Sequence, residues 1–168
     1  TMPTGLKASS SSVSIGFSVP ESAANTFTQL SVDLNLSPLD REVFVVTAIN
    51  IDPQSPDLGA TPSNTTCSLT TTSQTALANL GDANCLAVAQ QRIQADATRA
   101  VAFQQQSLET PPTTSDYIGI IATNDFFVQV EGAGNTVAKG CSGKVYGYRA
   151  VASADIYAAL VQSEVLSA

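Results

Sequence analysis

Apolar side chains recur at every second position along much of this chain, and that spacing constrains it to β-strands before anything else is weighed. In residues 29–37, Leu30, Val32, Leu34 and Leu36 alternate with Ser31, Asp33, Asn35 and Ser37. One apolar face and one polar face describe a half-buried strand, with Leu30, Val32 and Leu34 expected in the core. Pro38, Leu39, Asp40 and Arg41 then predict a turn. Residues 42–51 read E-V-F-V-V-T-A-I-N-I. They are rich in β-branched side chains and nearly continuous in apolarity, which predicts a central strand covered on both faces.

Turn chemistry divides the rest. Residues 52–66 carry Pro53, Pro56, Gly59 and Pro62 and predict a long loop. The Ser/Thr-rich stretch 68–73 predicts a short polar strand at a sheet edge. In residues 84–96, Ala, Leu, Gln and Arg favour a helix, while Leu86 and Val88 alternate as in a strand. A strand is expected there, turning at Asp96-Ala97-Thr98 into residues 99–105. Pro111-Pro112 marks a second loop over 109–116. Strands are expected at 117–123 and 126–131 around an Asn124-Asp125 turn. Residues 143–151 are expected to pair with 126–131 as a hairpin, through aromatic and β-branched cross-strand contacts. There Tyr146 and Tyr148 share one face, and Val145, Gly147, Arg149 and Val151 the other. Ser153 is placed to cap a short helix over 154–166, in which Ile156 and Leu160 stack one turn apart.

The result is an all-β chain, an antiparallel β-sandwich or jelly-roll of about eight strands with a short C-terminal helix. No internal repeat is visible. A length of 168 residues suits one domain, able to bury roughly 68–70% of its unfolded surface. The expected division is a flexible N-terminal arm over 1–14, containing Ser9 to Ser12, and one sandwich domain over 15–168. Thr1 precedes the only Met, so either Thr1 is an added residue or the chain is a processed product. The first residues contain no apolar signal core, and no run of 18 apolar residues predicts a membrane span.

Composition narrows function. Charged residues make up 12% of the chain, against about 25% in ordinary domains. Ser, Thr, Asn and Gln take their place, at 56 of 168 residues. Such surfaces suit secreted proteins and subunits packed against their own copies, since interface cores are depleted of charge. The net charge of −7 argues against direct nucleic-acid binding, which needs Lys and Arg. The absence of His excludes His-based triads and His-containing zinc sites.

The motifs point away from catalysis. Gly140-Cys141-Ser142-Gly143-Lys144-Val145 departs from a phosphate loop, with Ala138 where a Gly is needed and Val145 where Ser or Thr is needed. Asp52 with Asp57, and Asp125 with Glu131, are the nearest carboxylate pairs, and solvated turn residues are their ordinary reading. Asp40, Asp52 and Asp57 lack calcium-loop spacing. Ser142 and Lys144 lack the surroundings of a dyad, and Cys141 lacks a His partner. Tyr146, Tyr148, Phe126 and Phe127 are either a stacking platform or core. Gln90-Gln91 and Gln104 to Gln106 are either an amide contact to a neighbouring subunit or an exposed polar face. No catalytic residue, cofactor or metal is therefore expected.

Three cysteines, Cys67, Cys85 and Cys141, allow at most one intramolecular disulfide. A Cys67–Cys85 bridge and three buried small hydrophobes are both open. Asn64-Thr65-Thr66 and Asn35-Leu36-Ser37 are glycosylation sequons, the second weakened by Pro38.

From Asp116 onward the chain reads D-Y-I-G-I-I-A-T-N-D-F-F-V-Q-V-E-G-A-G-N, then G-K-V-Y-G-Y-R-A-V, then S-A-D-I-Y-A-A-L-V. This order of strand, Asn-Asp turn, strand, Gly/Asn hairpin, Tyr-rich strand and short acidic helix resembles small virion structural proteins of marine viruses and phages, of capsid or capsid-decoration type. The resemblance covers the C-terminal third. It implies a β-sandwich or jelly-roll subunit present in many copies, located in the virion, with copies of itself and other virion proteins as partners and no catalytic residues. The alternative is an extracellular β-sandwich binding module for carbohydrate.

Overall fold

The computed structural model describes residues 4–105, 107–109 and 116–166. In chain order the strands are β1 (Leu6–Ala8), β2 (Val13–Pro20), β3 (Thr28–Asp33), β4 (Glu42–Pro53), β5 (Ser63–Thr70), β6 (Cys85–Ala95), β7 (Ala100–Gln105), β8 (Ser107–Glu109), β9 (Gly119–Ile121), β10 (Asp125–Ala133) and β11 (Gly140–Ala152). The helix α1 (Ala154–Leu166) follows. The turn expected after Ser37 is a 3-10 turn, Pro38–Asp40, closed by Arg41 at φ 55°.

Every strand pairing is antiparallel. In one sheet β11 lies between β4 on one side and β1 and β2, end to end, on the other. The far side of β4 pairs with β8 and then β9. The second sheet has the order β3-β10-β5-β6-β7. The pairs β2·β11, β3·β10, β4·β9 and β5·β6 are nested, so the outgoing and returning halves of the chain make one long ribbon. Successive pairs of that ribbon fall in opposite sheets. This is a jelly roll, a two-sheet antiparallel sandwich. Seven of its eight strands are among those expected; β2 is not, nor are β1 and β8, while β7, the expected strand over 99–105, forms but extends the second sheet beyond the eight.

The interior is the apolar face of both sheets. Phe17 on β2 meets Phe126 on β10 edge to face, with ring centroids 6.2 Å apart. Phe44, Val46, Ile49 and Ile51 of β4 all join this cluster. Val46 and Ile49 are an odd number of positions apart, so a regular strand would turn one of them outward. A register slip supplies the correction: Tyr146 pairs with Ala48 and Gly147 with Val46, leaving Thr47 extra. The Thr47 hydroxyl donates to the Tyr146 carbonyl at 3.1 Å. Gly147 is required beside it, because a Cβ there would lie 2.6 Å from Phe44 Cε1.

The helix covers the other face of the same sheet. Ile156, Tyr157, Leu160 and Val161 pack with Leu6, Ile120 and Tyr148 around Val43, Val45, Ala150 and Ala152. This is why β4 is apolar on both faces. Ser153 caps the helix as expected, with its carbonyl accepting from Tyr157 N at 2.9 Å. Glu164, buried near the far end, accepts from the amides of Ala122 (2.7 Å) and Thr123 (3.2 Å) and ties the helix to the end of β9.

Several expectations are corrected. The hairpin between 126–131 and 143–151 does not form, because β10 and β11 lie in opposite sheets. The polar strand begins at Ser63 and is central, between β10 and β6. Its inward Cys67 and Leu69 are buried in the core, while its outward Ser68 hydroxyl is satisfied by Gln129 Oε1 at 2.7 Å. The Gln129 amide in turn donates to Gln29 Oε1 and Thr70 Oγ1, both at 2.8 Å. The loop before β5 accordingly shortens to residues 54–62. Within the expected arm, Leu6–Ala8 form β1 on β11, and β2 begins at Val13. Hydrogen bonding to a sheet edge accounts for both. Leu30 is 37% exposed although Leu34 is fully buried, because β3 is an edge strand. The loop expected over 109–116 falls almost wholly outside the described residues.

Candidate interaction surface

The residues tested for chemistry are scattered by the fold. Asp125 and Glu131 sit six residues apart on β10, about 20 Å at about 3.3 Å per residue. Paired carboxylates in glycoside hydrolysis stand about 5–9.5 Å apart. The Gly140–Val145 segment is extended within β11, with β2 on one side and β4 on the other, so it forms no anion-cradling loop. Ser142 and Lys144 point outward from the same strand and are exposed. The four aromatics are separated. Phe126 is core, Phe127 lies on the outside of its sheet, Tyr148 packs under α1, and Tyr146 is 37% exposed. They make no common platform. Among the described residues no group of three Cys, Asp or Glu is placed to hold a metal.

Asp57 has a structural role. Lys139 Nζ donates to Asp57 Oδ1 at 2.7 Å, and the amide and hydroxyl of Thr136 donate to Oδ2 at 2.9 Å each. The Lys139 ammonium, then these Thr136 donors, hold the Asp57 carboxyl well below the ordinary carboxylate range. Beside it the buried Glu21 carboxylate accepts from the amides of Thr26, Gly132 and Lys139 at 2.8–2.9 Å. The Asn25 side chain donates to the Asn135 carbonyl at 2.9 Å and accepts from the Asn135 amide at 3.0 Å. Together these groups clamp the β10–β11 connection to the end of the sandwich. No local pattern announces the clamp, since its partners are as much as 118 residues apart. Asn25, at φ 57°, and Gly134, at φ 70°, take left-handed conformations within it. An open groove of about 350 Å³ adjoins the clamp, with Ser18, Asp52, Gln54 and Ser142 along its walls.

The glutamines are brought together. Gln90 pairs with Gln105 and Gln91 with Gln104 across β6 and β7, while Gln106 lies outside the described residues. Gln90 donates to Thr66 Oγ1 at 2.9 Å on the outer face of the sheet and Gln91 to the Pro53 carbonyl at 2.8 Å on the inner face, so both are held by the sandwich. All six residues of β7 are exposed, and β7 ends its sheet. Val101 is 57% exposed and Phe103 48%, on one face with Gln105. The Arg92 guanidinium lies 5.2 Å from the Phe103 ring centroid. The surface is thus an open strand edge with two large apolar side chains, an Arg-capped ring and rows of amides. Open edges carry unpaired backbone donors and acceptors that another strand can satisfy. Nothing in the alternation of residues 100–105 marks the strand as an edge, because that depends on what pairs beyond it.

The sequons take different positions. Asn64 lies on the central β5, half-buried, and Asn35 is exposed at φ 54°. No helix among the described residues is long and apolar enough to cross a membrane. No family model matches the chain, and no curated protein matches it. Among solved structures, a chain titled Desmodium yellow mottle tymovirus is similar over 91% of this chain and 93% of its own length, at 13% sequence identity and a TM-score of 0.35.

Proposed function

We propose that this chain is a structural subunit of a virion, in the shell or decorating it, and that it works by self-association rather than by catalysis. The observation that carries the reading is the open β7 edge, where Val101 and Phe103 stand exposed on a strand with no outer partner among the described residues. The jelly-roll strand order supports it, since viral capsid domains are one of the principal uses of that architecture. The low charge supports it too, because a surface of amides and hydroxyls packs against a copy without stranding ions. Partners are copies of the chain and other virion proteins.

The test is sedimentation and native mass spectrometry of the whole chain at low and high salt. A closed oligomer that persists at high salt is expected, because apolar and hydrogen-bonded contacts are weakly screened. Phe103→Lys should dissociate it and abolish any dependence of the melting temperature on protein concentration, leaving the fold of the single chain intact. A monomer at high concentration in both conditions overturns the reading. It would favour the alternative, an extracellular carbohydrate-binding module, for which the polar groove beside Asp52, Gln54 and Ser142 is the place to look. A glycan screen decides that case.

A further inference from the structure

We propose that Cys67 and Cys141 are the site of an intramolecular disulfide that staples the two sheets, with Cys85 outside the bridge. Cys67 lies in β5 and Cys141 in β11, strands of opposite sheets and 74 residues apart in the chain. Both side chains are buried in the interior cluster, and their sulfurs meet across it at 2.6 Å. The contact joins the middle of the central strand of one sheet to the beginning of the longest strand of the other.

The surroundings leave these sulfurs little other chemistry. Neighbouring core side chains are apolar, and among the described residues no metal-binding group surrounds them. Burial, then the neighbouring Cys141, raises the Cys67 thiol well above its ordinary value, so a thiolate is disfavoured in the folded interior. Cys85 is badly placed for either partner. At the start of β6 it pairs with Thr70 of β5, about 10 Å along the ladder from Cys67, and its thiol donates to the Ala87 carbonyl at 3.5 Å. Cysteines whose Cα atoms are more than about 7 Å apart cannot be bridged without moving the backbone. The fold therefore selects one pairing where chain spacing left several open.

The oxidant is a small-molecule disulfide such as glutathione disulfide. One cysteine thiolate attacks a glutathione sulfur, breaks its S–S bond and releases one glutathione thiolate. The second cysteine thiolate then attacks the protein sulfur of the mixed disulfide and releases the other. The two protein thiols give up two protons and two electrons in total, and these leave as two glutathione thiols. Because both sulfurs are buried, the exchange belongs to folding or to an opened state.

The experiment refolds the whole chain from its reduced, denatured state with glutathione disulfide. Thiols are then capped with N-ethylmaleimide under denaturing conditions and the intact mass is measured. One maleimide is expected after oxidative refolding and three after reduction, with a non-reducing digest joining the Cys67 and Cys141 peptides. The oxidised protein should melt about 10 °C above the reduced one, since the bridge closes a long loop in the unfolded chain. Cys85→Ser should retain both the cross-link and the melting difference. Three maleimides after oxidative refolding, or a cross-linked peptide containing Cys85, overturns the proposal. The wild-type mass decides the matter even if a core cysteine variant fails to fold, and whether or not the chain self-associates.

Discussion

The two sheets of this molecule are built from similar strands but end differently. The helix-bearing sheet is closed: its central strands β11 and β4 are paired on both sides, and α1 covers its outer face over Val43 and Val45. The other sheet is covered by the segment around Ala78 where Gln129 and Ser68 bond, and then runs out to a bare β7. Side chains of the same kind thus do different work. Val45 is fully buried and contributes to folding, while Val101 is 57% exposed and contributes only if something docks. Burial of a Val side chain is worth about 1.5–3 kcal/mol, so the closed sheet holds stability and the open one holds unrealised contact energy.

The sharpest way to break this comparison is a charge in each sheet. Val45→Asp should destabilise by about 3–5 kcal/mol, because the carboxylate would be buried without a partner. Val101→Asp should change stability by no more than about 0.5 kcal/mol. Urea denaturation measures both, and equal costs would mean that β7 is covered in the monomer. A smaller contrast lies along one segment. Leu34→Ala should cost about 2–5 kcal/mol and Leu30→Ala less than about 1 kcal/mol, since only Leu34 is fully buried.

The closure by α1 is tested at Glu164. Glu164→Ala leaves the Ala122 and Thr123 amides unpaired and should cost about 1–3 kcal/mol. Hydrogen exchange should rise at Ala122 and in the last turn of α1, with β6 and β7 unaffected. If protection falls throughout the molecule instead, the two sheets do not behave separately.

The smallest effect concerns pH at the Asp57 clamp. Its carboxyl is held below the ordinary value in the folded state, so its contribution is present above the unfolded Asp pKa of about 4. That contribution is lost as pH falls toward the folded value. Asp57→Asn should flatten the acid limb of the stability curve while leaving the unfolding slope in denaturant unchanged. Asp57 is partly exposed, so salt should weaken the difference.

The local periods of the chain determined its strands and its helix. Alternation over 29–37, β-branching over 42–51 and a capping Ser153 each act through neighbours in sequence; β4 and α1 stand where those signals place them, while β3 stops at Asp33 and leaves Leu34 and Leu36 buried beyond its end. The mixed signals over 84–96 resolve to β6, because strand neighbours on both sides supply the pairing that an isolated helix propensity lacks. Tertiary structure decided which strands are neighbours. Whether 143–151 pairs with 126–131 or with β2 and β4 is not written in either segment, since both answers satisfy the same alternation. Rolling the ribbon chooses between them by burying two apolar faces at once. The same step puts the hydroxyl-rich β5 at the centre, brings Gln90 and Gln91 opposite Gln105 and Gln104, and sets Cys67 against Cys141. Contacts across 74 or more residues depend on the register of whole sheets, and no window of local sequence contains that register.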